Sequence, residues 1–516
     1  MKTRYLLFLA AVAVLLVTTP PDLFKGDQEK QVGYVMDLLH GGSWALQYEV
    51  NGTVASKPPL YNWCAAGLCR LTGSTAPWVM KLPSLLAAAG LLYVLWRLGK
   101  RLLSPEAAAW AVVAAAASHH FGKLSWFART DMLMAFLLFL AILLTVEMRP
   151  SVPKVFAVGL TLGLCFLAKG PVGPALYLLW LALWAWHQET WRSACAWTHA
   201  IVAGVIAVAV MLFWLGLVWD MPMFQEGVLG RELGGRFVSE TGNSRPVYYY
   251  IPILFARIAP WPLLAIGGIL AARRRGKWRQ VRFLALWAGV FFVFFSLIPS
   301  KRHDLLLPVY PPVFLLAGYA VERLLRADAS RWVGRSVRAL GWVFVAGGAY
   351  ILIESEGQTV FLVLGTLAAL AGAMAALAGG RHLARATLFV CGGLALGNAT
   401  YLHGLGQEDE VEAYHQLRVF TQPLREAADQ GRVTVWRAHP LISYELGIHQ
   451  REIRWRDVFV PDVAASPSPP RWLICDTTQI RAIPLRAGWT LREEGRLVIE
   501  DEGVDARLLA VMAPGR

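Results

Sequence analysis

Long apolar stretches recur along the chain, each closed by proline, glycine or charge. A run of roughly 20 apolar residues spans a bilayer core as a helix. Reading runs against their breakers predicts thirteen helices, near 4–20, 79–97, 106–121, 131–147, 154–168, 171–187, 199–219, 248–271, 281–298, 304–322, 338–353, 359–378 and 384–400. Two long polar segments, 22–78 and 220–247, interrupt the series. The tail differs: residues 401–516 have ordinary polar composition and short β-like runs, Val433-Thr434-Val435-Trp436 and Trp472-Leu473-Ile474-Cys475. The pattern therefore predicts an all-α polytopic membrane domain over 1–400, followed by a small soluble α/β domain over 401–516.

Composition supports this reading. The chain has 516 residues, of which 56% are hydrophobic and 16% charged. An ordinary soluble domain carries about 25% charge, so a soluble enzyme, a disordered chain and a fibrous repeat are excluded. The start, Met1 to Arg4 followed by Leu6 to Val17, has the basic and apolar parts of a secretory signal. It lacks a small-x-small cleavage pattern, because Val17-Thr18-Thr19-Pro20 follows, and a retained first helix is expected. None of the six cysteines has metal-ligand spacing.

Net charge is +14, divided as +17 over 1–400 and −3 over the tail. The 21 bases of one alternate set of short loops include Arg273-Arg274-Arg275, while the opposite set holds most of its bases in the two long segments. Base-rich short loops face the cytoplasm, so a cytoplasmic N-terminus and an outer, periplasmic tail follow, and nucleic acid is not implied as a partner.

The unusual polar residues then fall on one face, at helix ends. Asp27, Glu29 and Lys30 lie in the first outer segment, with Lys57 and Tyr61 further along it. Asp131 opens the fourth helix in Arg129-Thr130-Asp131, and Lys169 sits in the turn Ala168-Lys169-Gly170-Pro171. Arg231, Arg236 and Arg245 are in the second outer segment, and Ser300-Lys301-Arg302-His303-Asp304 forms a later outer turn. Charges at membrane depth are costly and are usually kept for function. Arginine and lysine at that level suit a lipid phosphate, and a nearby carboxylate suits orienting an attacking hydroxyl. The blander alternatives are capping for Asp27 and Asp131, snorkelling for Lys57 and Lys301, and solvation for Arg231 and Arg245. His119, His120 and His303 show no ligand-spaced partners and read as interfacial polar residues.

These residues carry a resemblance. Gly26-Asp27-Gln28-Glu29, Ser56-Lys57-Pro58-Pro59-Leu60-Tyr61, Arg129-Thr130-Asp131, Ala168-Lys169-Gly170-Pro171, Arg236-Phe237 with Tyr248-Tyr249-Tyr250-Ile251-Pro252, and Ser300-Lys301-Arg302 with Leu307-Pro308 and Tyr310-Pro311 occur in order. Over about 1–325 the chain resembles the ArnT/PMT-like bacterial glycosyltransferases. That family includes the aminoarabinose transferases of lipid A and is similar to the protein O-mannosyltransferases. The resemblance implies a GT-C fold with thirteen membrane helices, juxtamembrane helices in the first outer loop and a periplasmic C-terminal domain. It also implies a polyprenyl-phosphate sugar donor and inversion at the anomeric carbon. Asp27 and Asp131 match the two catalytic aspartates and Lys57 the lysine near the donor phosphate. Lys30, Lys169 and Arg236 match further bases around that phosphate, while Glu29, Tyr61 and Lys301 complete the substrate-binding set.

Two departures are visible. Leu305 stands where the family often has tyrosine, and Ser56 and Leu233 stand where the aminoarabinose transferases hold a zinc. No metal and no cofactor are therefore expected. The expected reaction moves a sugar from undecaprenyl phosphate to lipid A or another glycolipid, on the periplasmic side of the bacterial inner membrane. The rival readings are transfer to protein Ser/Thr and a lipid-linked sugar transporter or flippase. A transporter would distribute charge along the midplane and break helices in repeated halves. The sequence shows neither.

Overall fold

The computed structural model describes residues 23, 28–48, 54–147, 151–221, 224–225, 245–273, 278–326, 331–353, 359–378, 390–397, 408–436, 438–447, 472–482, 490–499 and 504–512. The expected helix at 4–20 lies outside them, as do Asp27, Arg231 and Arg236. The chain divides into two units. The first holds Met1–Pro20, Ser84–Met211 and Gly235–Gly406; the second holds Pro21–Pro83, Leu212–Gly234 and Gln407–Arg516.

Helices dominate the first unit because its apolar runs satisfy every backbone group internally, as a lipid environment requires. Among the described residues, six helices are long and apolar enough to cross a membrane, or seven if a bent pair counts as one span. The chain is a multi-pass membrane protein. Local chemistry sets the helix starts. Ser104 Oγ accepts the Ala107 N–H at 3.0 Å and Ser151 Oγ accepts the Lys154 N–H at 3.4 Å, with proline in the first turn of each helix.

One expected span is two helices. Over 248–271 the chain forms Tyr250–Arg257 and Trp261–Ala272, and the pair is bent by 97°. Pro260 causes the break: it has no N–H to donate, and it disfavours helical geometry at the residue before it. Proline shapes a second element. The span expected at 304–322 begins with a 3₁₀ turn, His303–Val309, that contains Pro308 and leads into helix Tyr310–Arg326.

Close packing in this unit depends on small residues. Helix Tyr310–Arg326 packs on Pro105–Ala116. At Gly318 a Cβ would stand 2.3 Å from the Ala107 carbonyl oxygen and 2.7 Å from the Ala111 nitrogen. Only glycine allows the two backbones to approach so closely.

The second unit combines the first polar segment with the tail. Helix Gln28–Leu39 buries Val32, Val35, Met36 and Leu38 and packs on Leu60–Thr72 and on Pro440–Leu446. The Tyr444 hydroxyl donates to the Thr75 carbonyl at 2.5 Å. Trp214 Nε1 donates to the Ala45 carbonyl at 2.9 Å. The tail also carries a four-stranded sheet: β1 (Val433–Trp436), β2 (Trp472–Asp476), β3 (Thr490–Ile499) and β4 (Val504–Met512), in the order β1-β2-β4-β3. Strands β1 and β2 run parallel, with Val433 opposite Trp472, and the other pairs are antiparallel. Leu473, Cys475 and Leu509 form the core of the sheet. Both β-like runs read from the sequence are strands of this sheet.

Candidate active site

Two successive helices of the first unit, Thr130–Glu147 and Val152–Lys169, are joined by a four-residue connection and pack together. So short a link makes them antiparallel, which brings the first turn of one beside the last turn of the other. The helix dipole favours an acid in the first turn and a base in the last. Asp131 and Lys169 occupy those positions. Gly170, with φ 77° and ψ −156°, takes a conformation open essentially to glycine alone, and so ends the helix directly after Lys169.

The two side chains form an ion pair, Lys169 Nζ on Asp131 Oδ1, and both residues are buried. Arg129 Nε stands 3.3 Å from Asp131 Oδ2. Both carboxylate oxygens thus face cations, which makes Asp131 an anchor for positive charge.

Beyond Arg129 the network reaches the turn His303–Val309, which packs against helix Thr130–Glu147. Arg129 Nη1 donates to Asp304 Oδ2 at 2.7 Å. Asp304 Oδ1 faces His120 Nε2 at 3.1 Å and His303 Nε2 at 3.0 Å. His120 Nδ1 lies 2.6 Å from the Tyr310 hydroxyl. Asp304 is 4% exposed and His120 fully buried. The interfacial reading of His120 is therefore corrected: it is a core residue held by a carboxylate 184 positions away.

Among the described residues, His120, His303 and Asp304 are the group whose geometry could hold a metal ion, with ligand atoms all within 4.8 Å of one another. Charge opposes it. Arg129 at 2.7 Å and Arg302 Nη2 at 3.9 Å already serve the same carboxylate. Like unit charges 4 Å apart repel by about 4 kcal/mol at a near-surface dielectric, and a dication doubles the figure. The residues suit a hydrogen-bonded cluster better than a metal centre.

Lys301 belongs to the same unit, just before this turn. It is buried, its Nζ donates to the Ile298 carbonyl at 2.5 Å, and burial pulls its ammonium below the usual lysine range. Arg245 is exposed, and its N–H donates to the Pro299 carbonyl at 3.3 Å. Glu29, Lys30, Lys57 and Tyr61 belong to the second unit. There Glu29 and Lys57 are half-buried and Lys30 is exposed. Tyr61 is fully buried with its hydroxyl donating to the Met80 carbonyl at 2.9 Å, which gives it a packing role where the sequence suggests a substrate contact. The structure thus joins Asp131 to Lys169, and adds Arg129, Asp304, His120 and His303, to which the sequence reading assigned no part in the site. The signal was present: Arg129 and Asp304 are charges beside apolar runs, next to residues already singled out.

A separate cavity of about 280 Å³ is lined by Lys154, Tyr177, Trp184 and His199 among others. Lys154 and Lys169 lie at opposite ends of one helix, about 22 Å apart at 1.5 Å per residue, so this cavity is distinct from the ion cluster.

Residues 56–214 match the dolichyl-phosphate-mannose-protein mannosyltransferase family. The solved structure of ArnT from Cupriavidus metallidurans bound to undecaprenyl phosphate superposes with a TM-score of 0.71 at 19% identity, covering 98% of this chain and 97% of that one. The chain carries the GT-C fold of that ArnT. An undecaprenyl phosphate-alpha-4-amino-4-deoxy-L-arabinose arabinosyl transferase of Pseudomonas paraeruginosa is 30% identical over 239 residues, 42% of this chain and 41% of its own length. The match thus spans about two fifths of that ArnT-type relative. The archaeal oligosaccharyltransferase AglB of Archaeoglobus fulgidus shares the fold more distantly, with a TM-score of 0.52 at 12% identity over 92% of this chain and 69% of that one.

Proposed function

We propose that the protein is an inverting glycosyltransferase. It moves a sugar from undecaprenyl phosphate to lipid A or a related glycolipid, at the periplasmic face of the bacterial inner membrane. The observation that carries this reading is the buried Lys169–Asp131–Arg129 cluster at one end of a helix hairpin, in a chain with the ArnT fold. In this account the chain crosses the membrane thirteen times, with a cytoplasmic N-terminus and the tail outside.

The acceptor hydroxyl attacks C1 of the sugar and the lipid phosphate leaves with the bonding electrons. Negative charge grows on that phosphate, and fixed cations in a dry site stabilise it, usually the largest catalytic contribution. Lys169 and Lys301 of the first unit supply cations, and Lys30, Lys57 and Arg236 are given the same role on the resemblance alone. Asp27 orients or deprotonates the acceptor, and Glu29 belongs to the substrate-binding set. Asp131 holds Lys169 and Arg129 in place, since both of its oxygens are already engaged.

The match of residues 56–214 to the protein mannosyltransferase family supports a second reading, transfer to protein Ser/Thr. One experiment separates them. Purified protein in nanodiscs is incubated with a panel of radiolabelled polyprenyl-phosphate sugars, and the acceptors are then resolved by mass spectrometry. The first reading expects labelled lipid A, the second labelled protein. No consumption of any donor sinks both.

A further inference from the structure

The sequence gives Asp304 no role, yet it is the residue through which the ion cluster continues. Arg129 bridges two carboxylates: its Nη1 donates to Asp304 at 2.7 Å and its Nε faces Asp131 at 3.3 Å. A guanidinium is planar, so holding two of its nitrogens fixes its orientation, which a lysine ammonium could not reproduce. Asp304 is itself fixed, because His120 and His303 hold its other oxygen at 3.1 Å and 3.0 Å. His120 in turn is pinned by the Tyr310 hydroxyl at 2.6 Å.

We propose that Asp304 is a positioning residue for the transfer step, acting on Asp131 through Arg129. Without its carboxylate, Arg129 loses the contact that fixes Nη1, and its guanidinium can turn relative to Asp131. Asp131 then loses a fixed partner on Oδ2, and its carboxylate shifts together with the Lys169 ammonium paired on Oδ1. Asp304 touches neither donor nor acceptor in this account. Its effect is geometric, and small displacements of catalytic groups are costly to turnover.

The assignment of a transfer step rests on the glycosyltransferase reading; the geometric link does not, and each is tested by its own measurement. The variants are Asp304→Asn, Asp304→Glu, Arg129→Lys and the double Asp304→Asn/Arg129→Lys, in full-length protein reconstituted in nanodiscs. Asp304→Asn should lower kcat by about 10- to 100-fold. The KM for the donor should change by less than about twofold, because no donor contact is removed. Asp304→Glu should recover part of the rate. Arg129→Lys should lose a similar factor, and the double variant should be no worse than either single, since both remove one link.

The second readout needs no turnover. The infrared carboxylate band of Asp131, isolated as the difference from Asp131→Asn, should move by the same amount in Asp304→Asn and Arg129→Lys. Losses that multiply in the double variant, or an Asp131 band unmoved by Asp304→Asn, would overturn the proposal. If Asp304→Asn does not fold, the kinetics and band of Asp304→Glu decide, with an unmoved kcat and band counting against it. If the wild type transfers no polyprenyl-linked sugar, the glycosyltransferase reading fails, and the infrared band alone decides the link.

Discussion

Both oxygens of Asp131 face cations, so its structural and chemical roles can be separated by mutation. Lys169→Met leaves a buried carboxylate with one partner fewer, a change that costs about 3–5 kcal/mol when a buried pair is broken. Replacing both partners, as Asp131→Leu/Lys169→Met, should return most of that loss, because an apolar pair of similar volume suits a buried site. Transfer should remain abolished in the double variant. Thermal unfolding in detergent and donor consumption would be measured together; recovery of both would make the pair purely structural. Asp131 and Lys169 were legible in the sequence, since a charge at the end of an apolar run is conspicuous. The contact between His120 and Asp304 was not, because 184 residues separate them and only the tertiary fold makes them neighbours.

At the scale of elements, two contacts make predictions. Gly318→Ala places a methyl against the backbone of helix Pro105–Ala116 and should cost about 1–3 kcal/mol, as overpacking does. A melting temperature equal to wild type would show that this helix pair has room to separate. The second contact is the tail helix Pro440–Leu446, whose cap His439 accepts the Leu441 N–H on Nδ1 at 3.4 Å. Burial, helped by Lys30, pulls the His439 imidazole down to about 4. A neutral imidazole is thus favoured in the folded state, whereas an unfolded chain protonates near the ordinary value of about 6.5. Its contribution is fully present above about 6.5 and is lost as pH falls from there through about 4. Melting curves at pH 7, 5.5 and 4.5 should show a steeper acid loss for wild type than for His439→Gln; parallel losses would remove His439 as the cause. Apolar periodicity anticipated most of the helices. It missed the break at Pro260 because Ile258 and Trp261 on either side keep the stretch apolar, and hydropathy alone does not register the missing N–H.

For the whole molecule, the two units explain what could be read from the chain and what could not. A membrane class follows from composition alone, because no soluble core absorbs so many apolar residues. The assembly of the second unit does not: residues 21–83 and 407–516 are far apart in sequence, and helix Gln28–Leu39 meets Pro440–Leu446 only through folding. A transporter would need breaks repeated in two halves. Among the described residues one bent pair occurs, Tyr250–Arg257 with Trp261–Ala272, and the buried ion cluster lies at helix ends. The proposed reaction is displacement at a sugar carbon with a lipid phosphate leaving. Its most direct test is a single-turnover reaction in nanodiscs with whichever polyprenyl-phosphate sugar the protein consumes, following free undecaprenyl phosphate and the anomeric configuration of the product by NMR. The account predicts one lipid phosphate released per sugar transferred, inverted configuration, and no release by Asp131→Asn. Retained configuration, or wild-type rates from Asp131→Asn, would contradict it.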